Sequence, residues 1–346
     1  MTICYFGIYN PEYSRNRVLI KGLKQNGVEV IECSSKGKGI GKYWQLFKNH
    51  YKIRKKYDLM IVGYPGYQVM ILAWFLTKKP IIFNVFTSIY DSMVWDRKLV
   101  KPKSLKALYY WLLDWFSCRL ADKILLDTQA HIDYFIKTFH LDSQKFYRIF
   151  VSTDEDILYP VSAEKKDNNY FLVHFHGNFI PLQGVEYIIY AAKILENDKI
   201  KFNIIGRGQE YKKIIKLAKG LEVNNINFID PIPYEKLREY MAASDVCLGI
   251  FGKTPKAQRV IPNKVYEAIA CAKAIITSES PAIKELFTNQ KNIILCHPAS
   301  PEDLADKILK LKINQNIRSE IGQNAFDLFQ EKLLPKNIVH DLLLNL

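Results

Sequence analysis

The feature that most limits what this chain can fold into is the regular exchange of strand and helix patterns between residues 171 and 311. FLVHF (171–175) precedes GVEYIIYAAKIL (184–195), KFNIIG (201–206) precedes QEYKKIIKLAK (209–219), and INFI (226–229) precedes YEKLREYMAA (234–243). DVCLGIF (245–251) then leads to PNKVYEAIA (262–270), KAIIT (273–277) to PAIKELF (281–287), and NIILC (292–296) to PEDLADKILKL (301–311). Short apolar strands alternating with helices call for a parallel sheet covered on both faces. Six such units make a doubly wound domain. Sheets of this kind bind ligands at the carboxyl ends of their strands, so the strand-to-helix loops are where chemistry is sought.

The N-terminal half repeats the theme less regularly. TICYFGIY (2–9) reads as a strand, NRVLIKGLKQ (16–25) as a helix and VEVIEC (28–33) as a second strand, with Asn26-Gly27 as the left-handed stop between them. Further strands are expected at 58–62, 80–86 and 122–126. After Pro160 the periodicity lapses through VSAEKKDNN, which reads as a linker. A chain of 346 residues fits two domains. They are expected at 1–165 and 166–330, with a C-terminal helix over 331–346 returning to the first. The apolar half of the composition suffices for a core in each and excludes a disordered or fibrous chain.

Six scattered cysteines without a C-x-x-C pair read as buried or free thiols, not as a disulfide frame or a zinc site, and no metal is expected. MTICYFGIYN runs straight into a strand pattern, so no signal peptide is expected, and the longest apolar run, Val69–Leu76, is too short to span a bilayer. The expectation is a cytoplasmic, non-spanning protein.

Charge divides the two halves. Lys and Arg outnumber Asp and Glu by 25 to 15 over residues 1–165 and by 24 to 20 over 166–346, so the first half carries +10 of the net +14. Such an excess favours polyanions, acidic lipid surfaces and phosphorylated substrates. Much of it lies in KGKGIGKYWQLFKNHYKIRKK (36–56) and RKLVKPKSLKALYYWLLDWF (97–116), where aromatic residues interleave with the cations. That pattern suits a helix lying in a membrane interface, peripheral on the inner face of the cell membrane. The alternative is that the aromatics belong to the core and the lysines face water. No nucleic-acid-binding module accompanies the charge, so nucleic acid is not expected as a partner.

Three stretches could hold an anionic ligand. In GIFGKTPKAQRVIPNKVYEAIACAKAIIT (249–277), Pro262 stands in the first turn of a helix, where a missing amide proton costs nothing. The first-turn amides and the dipole form an anion site near Asn263, and Lys264 adds a full charge beside it. Glu267 follows one turn deeper on the same face. Phosphates on the amides and Lys264, with ribose hydroxyls on Glu267, suit a nucleoside diphosphate. An ordinary exposed Lys–Glu pair has the same spacing. In FHGNFIPLQG (175–184), Gly177 lies just past a strand end and permits close approach of a phosphate. His174 and His176 alternate along that strand, so one of them is expected to face the ligand and the other to be structural. In IIGRGQE (204–210), Arg207 sits between two glycines, but Tyr211 stands where a dinucleotide-binding G-x-G-x-x-G needs its last glycine. In the first half, the loop NPEYSRN (10–16) and its surroundings carry Arg15 and Arg17. TSIYDSMVWD (87–96) carries Asp91, a candidate base or acceptor ligand that could equally be a solvated loop acid or a helix cap.

In order and spacing, FHGNFIPLQGVEYII, IIGRGQE, YEKLREYMAASDVCLGIF and PNKVYEAIACAKAIIT resemble the nucleotide-sugar domain of retaining glycosyltransferases of family 4. FGIYNPEYSRNRVLIKGLKQNGVEV resembles that family's first β-α-β unit, and ADKILLDTQAHIDYF with VSTDEDILYP its domain-closing segment. The resemblance implies a GT-B fold: α/β, with two doubly wound Rossmann-like domains facing across a cleft. It implies no cofactor, a nucleoside-diphosphate sugar as donor (a UDP-sugar favoured), and a lipid-linked or polysaccharide acceptor. Asp91, Lys264 and Glu267 are the catalytic candidates. Gly177, Asn178, Arg207, Arg259, Pro262, Asn263, Lys264 and Glu267 are the donor-side candidates, and Arg15, Arg17 and Asp91 the acceptor-side ones. By position Glu267 matches the second glutamate of the family's Glu-x7-Glu, which binds the donor ribose. The first falls on Arg259, and the usual diphosphate-binding Arg and Lys fall on Asn178 and Gln183, leaving Lys264 and then Arg207 as substitutes. A nucleotide-sugar 2-epimerase and a non-catalytic polyanion binder on the same fold are the rival readings.

Overall fold

Each half of the chain builds one six-stranded, all-parallel sheet in the computed structural model, which describes residues 1–35, 37, 39–162 and 169–345. The first sheet contains β1 (Thr2–Gly7), β2 (Glu29–Ser34), β3 (Leu59–Val62), β4 (Ile81–Asn84), β5 (Lys123–Leu126) and β6 (Phe146–Arg148), in the order β2-β1-β3-β4-β5-β6. The second contains β7 (Phe171–His176), β8 (Ile200–Ile205), β9 (Ile226–Ile229), β10 (Val246–Leu248), β11 (Ile275–Ser278) and β12 (Ile294–Cys296), in the order β12-β11-β10-β7-β8-β9. The order reverses beside the first strand of each half, β1 and β7, which marks two Rossmann-like domains.

Helices α1 (Ser14–Gln25), α2 (Gly41–Ile53), α3 (Tyr67–Leu76), α4 (Leu105–Leu120) and α5 (Gln129–Phe139) belong to the first unit. The second holds α6 (Val185–Ile194), α7 (Tyr211–Gly220), α8 (Leu237–Ala243), α9 (Asn263–Ala270), α10 (Pro281–Lys284), α11 (Pro301–Ile313) and α12 (Gln315–Leu328). Helix α13 (Pro335–Leu343) lies against α1, so the first unit comprises Met1–Asp154 and Leu333–Leu346, and the second Glu155–Lys332. The division follows Asp154; the expected 165/166 boundary lies outside the described residues, as do most of the expected linker and Lys36 and Lys38.

Strands covered on both faces leave no room for polar alternation. Accordingly Ile3–Phe6, Ile81–Phe83 and Ile124–Leu126 are buried throughout, and Val173, Phe202, Ile204, Val246 and Ile276 centre the second core. All six cysteines are free and buried. Among the described residues no helix is long and apolar enough to cross a membrane.

Several local expectations are corrected. Arg15 and Arg17 stand in the first turn of α1, not in a loop, because the helix begins at Ser14. Asp91 opens a short π-helix, Asp91–Asp96, where a loop was expected. Pro262 is the extended N-cap of α9 and not its first helical residue. Tyr234–Lys236 forms a 3-10 turn ahead of α8, and β6 had no expected counterpart.

Candidate active site

The loops after β7 and β8 meet the start of α9, and backbone without side chains is what lets them meet. At Gly206 (φ +139°) a Cβ would fall 2.0 Å from the carbonyl oxygen of Gly177. At Gly177 (φ +147°) it would fall 2.8 Å from the ammonium of Lys264. L side chains rarely adopt either conformation, so both positions are held for glycine by geometry and by space.

Lys264 is not a surface residue. It is 5% exposed, its ammonium donates to Gln183 Oε1, and it lies 3.8 Å from the centre of the Phe175 ring. Burial brings its pKa down to about 7, opposed by the charge of Glu267. Glu267 is also 5% exposed, with Oε2 2.7 Å from His176 Nε2, and His176 Nδ1 lies 2.9 Å from His174 Nε2. The exposed Lys–Glu pair considered from spacing alone is therefore overturned: both side chains are buried, Lys264 beside Gly177 and Glu267 against His176. The expectation that the histidines part company is also corrected. Residues two apart on a strand share a face, so His174 and His176 lie side by side.

The other donor-side candidates surround this centre less tightly. Pro262 and Asn263 begin α9 and are half-buried, and Arg259 precedes them at the end of a 3-10 turn, Pro255–Gln258. Asn178 is exposed. Arg207 is exposed, paired through Nε with Asp230 at 2.6 Å and stacked on Tyr211. The structure thus gathers Gly177, Lys264 and Glu267, adds Gln183 and His176, and leaves Arg207 on the surface. In the sequence Gln183 stood out only as the position where the family's diphosphate-binding lysine falls, and His176 only as one of two strand histidines. Among the described residues no three His, Cys, Asp or Glu are grouped to hold a metal ion.

In the first unit, Arg15 is 1% exposed, donating through Nε to Asn84 (2.9 Å) and through Nη1 to the carbonyls of Ile149 (2.6 Å) and Phe150 (3.1 Å). It ties the ends of β4 and β6 to α1. Arg17 pairs with Glu12 at 3.6 Å. Asp91 is fully buried near Asp114, whose carboxyl is pushed up to about 7 by burial and by the Asp91 charge, against hydrogen bonds from Ser88, Ile89 and Tyr90. Arg15 is accordingly turned to the interior of this unit, and Asp91 is buried within the field of Asp114.

The basic-aromatic stretches divide between the two alternatives considered for them. Leu46 is fully buried, and Trp111 and Trp115 pack on the core. Trp44, Tyr51, Trp74, Phe75, Leu105 and Phe116 are exposed on α2, α3 and α4, which pack as neighbours α2–α3 and α3–α4. Lys48 lies over Trp44 and Lys78 over Trp74. Beside them a cavity of about 480 Å³ opens between Tyr90, Lys103, Ser104, Leu105, Leu108 and Trp111.

Residues 161–327, about 48% of the chain and nearly all of the second unit, match the family model described as glycosyl transferases group 1. An uncharacterized glycosyltransferase of Methanocaldococcus jannaschii is 25% identical over 311 residues, 87% of this chain and 77% of that one. N,N'-diacetylbacillosaminyl-diphospho-undecaprenol alpha-1,3-N-acetylgalactosaminyltransferase of Campylobacter jejuni is 23% identical over 192 residues, 55% of this chain and 48% of its own length. Among solved structures, Anabaena Alr3699/HepE, determined with UDP and with UDP-glucose, shares the fold with a TM-score of 0.71 at 16% identity, over 100% of both chains. These findings make the chain similar to group 1 glycosyltransferases, and its fold matches that of a GT-B structure.

Proposed function

We propose that this protein transfers a sugar, with retention of configuration, from a nucleoside-diphosphate donor to a lipid-linked or polysaccharide acceptor. A UDP-sugar is the donor favoured, in keeping with the UDP and UDP-glucose bound by its structural neighbour. The observation that carries the reading is the buried ammonium of Lys264 beside Gly177 and within the field of Glu267. A buried cation with an amide for its hydrogen-bond partner is short of countercharge, and a diphosphate supplies it. As the bond from the anomeric carbon to the diphosphate breaks, negative charge grows on the departing phosphate. Lys264 and the first-turn amides of α9 would stabilise that charge more than the ground state. Glu267 accepts hydrogen bonds from the ribose.

Acceptor and location rest on the first unit. The exposed aromatics of α2, α3 and α4 among lysines suit a peripheral site on an anionic membrane, where a lipid-linked acceptor would be met. The undecaprenol-linked substrate in the name of the Campylobacter relative is in keeping with such an acceptor.

Binding of UDP and of uridine, each measured by calorimetry on wild type and Lys264→Ala, tests the donor site. Loss of a charge-assisted phosphate contact costs about 1.5–3 kcal/mol, so UDP affinity should fall roughly ten- to a hundredfold while uridine binding barely changes. Equal losses for the two ligands would place the diphosphate elsewhere.

A further inference from the structure

We propose that His176 is a positioning residue for Glu267, with His174 fixing its tautomer, so that the two imidazoles aim the carboxylate at the ribose diol of the donor. This rests on the reading of Glu267 as the ribose acceptor.

The argument is one of proton order. An ionised carboxylate only accepts, so the 2.7 Å contact requires the His176 proton on Nε2. The neutral ring then offers a lone pair at Nδ1, and His174 must donate from Nε2 across 2.9 Å. His174 Nδ1 is thereby left as a bare lone pair, and it is the ring nitrogen that has no hydrogen-bond partner and no access to water. The opposite order fails at His174. Were His176 to carry protons on both nitrogens, neutral His174 would have to accept at Nε2 and bury an N–H donor at Nδ1 with no acceptor, whereas a bare lone pair there leaves no donor orphaned. Burial, with the charges of Lys264 and Lys273, holds His174 well below the ordinary histidine range, so it stays neutral.

The order therefore runs one way, from the sheet interior to the carboxylate. Glu267 Oε2 is fixed by a donor on β7, a different element from its own helix, which under this reading leaves Oε1 for the ribose hydroxyls. A carboxylate that is 5% exposed and aimed by a ring that is 8% exposed loses little freedom on binding. His176 touches the carboxylate and not the reacting atoms, so its part is to orient.

The test measures UDP and 2′,3′-dideoxy-UDP on wild type, His176→Phe, His176→Gln and His174→Leu. Wild type should prefer UDP by about tenfold or more, the worth of hydrogen bonds to a charged group. His176→Phe should bring the two affinities within about threefold of each other by weakening UDP alone, while His176→Gln, whose amide can still donate to Glu267, should keep part of the preference. His174→Leu leaves His176 in place but frees its tautomer, and should lower the preference to an intermediate value. If folded His176→Phe keeps the wild-type preference, or weakens both ligands equally, the positioning role is overturned. If His176→Phe does not fold, an unchanged preference in His174→Leu and a complete loss in His176→Gln overturn it instead. Wild type that binds UDP without discriminating against the dideoxy nucleotide would remove the ribose reading of Glu267, and wild type that binds neither would remove the donor reading itself.

Discussion

A lysine inside a protein is held there against its own hydration, and Lys264 carries that tension in measurable form. Its pKa falls from 10.5 to about 7 through burial. Between those two values the unfolded chain holds a proton that the folded chain has released, so stability rises with pH across this window. Below pH 7 the whole cost of burying the ammonium is present. Lys264→Met, of similar length and without charge, is expected to denature at higher urea concentration than wild type at pH 6. That advantage should shrink steadily to pH 10.5; a gap that does not change with pH would mean the ammonium is hydrated. A bound diphosphate should reverse the shift, because an anion beside the ammonium favours its charged form. UDP binding at pH 7.5 should then take up a fraction of a proton, seen as a dependence of the calorimetric enthalpy on the buffer's ionisation heat. At this scale the sequence was informative about residue types and poor on their surroundings. Lys264 and Glu267 stood out by spacing, whereas their burial, the Gln183 contact and the two histidines depend on where β7 ends relative to α9. The period of a strand puts 174 and 176 on one face, yet no local pattern says which residue of another element lies opposite.

Between elements, α1 and α13 bring backbone close to backbone. A Cβ on Gly22 would lie 2.2 Å from the carbonyl oxygen of Pro335 and 2.5 Å from a methyl of Val339. Backbone cannot yield as a flexible side chain can, so Gly22→Ala must push the C-terminal helix away from α1. A loss of about 1–3 kcal/mol is expected from overpacking, with faster proteolysis near residue 335. Gly41→Ala, into open space, should show neither effect, and equal denaturation of Gly22→Ala and wild type would mean that α13 is not docked in solution. The strand–helix alternation behind most of these elements was legible because strands buried on both faces read as unbroken apolar runs. What escaped notice lacked that signal. β6 is three residues long and partly exposed, and α1 starts at Ser14 with no acidic residue in its first turn and no side-chain cap on Tyr13. Asp91 was expected on a loop because a π-helix of six residues has no sequence period to announce it.

Across the whole molecule the division of charge, +10 against +4, follows the division of labour proposed for the two halves. The proposed donor site carries its cation inside, as the buried ammonium of Lys264, and stands in the half with the smaller net charge. The first half instead places Lys48, Lys78 and Arg119 against Trp44, Trp74 and Trp115, on helices that also expose Tyr51, Phe75 and Leu105. Aromatic rings flanked by cations fit the boundary between headgroups and acyl chains, and each basic residue near an anionic surface contributes about 1 kcal/mol. Several together hold a protein there reversibly without a spanning helix. Such attraction must fade with salt, because the Debye length falls from about 10 Å at 0.1 M to about 3 Å at 1 M. Co-sedimentation with vesicles of phosphatidylglycerol and phosphatidylcholine should therefore capture the protein at 0.1 M salt, less of it at 1 M, and little with phosphatidylcholine alone. Replacing Lys52, Arg54, Lys55 and Lys56 by glutamine should release it from the anionic vesicles while UDP binding stays at the wild-type value. Replacing Trp44 and Phe75 by serine should instead weaken the salt-resistant part of the binding, since that part comes from apolar burial. Wild type that ignores anionic vesicles at low salt would defeat the membrane proposal, and the charge would then be available only to a soluble acidic acceptor.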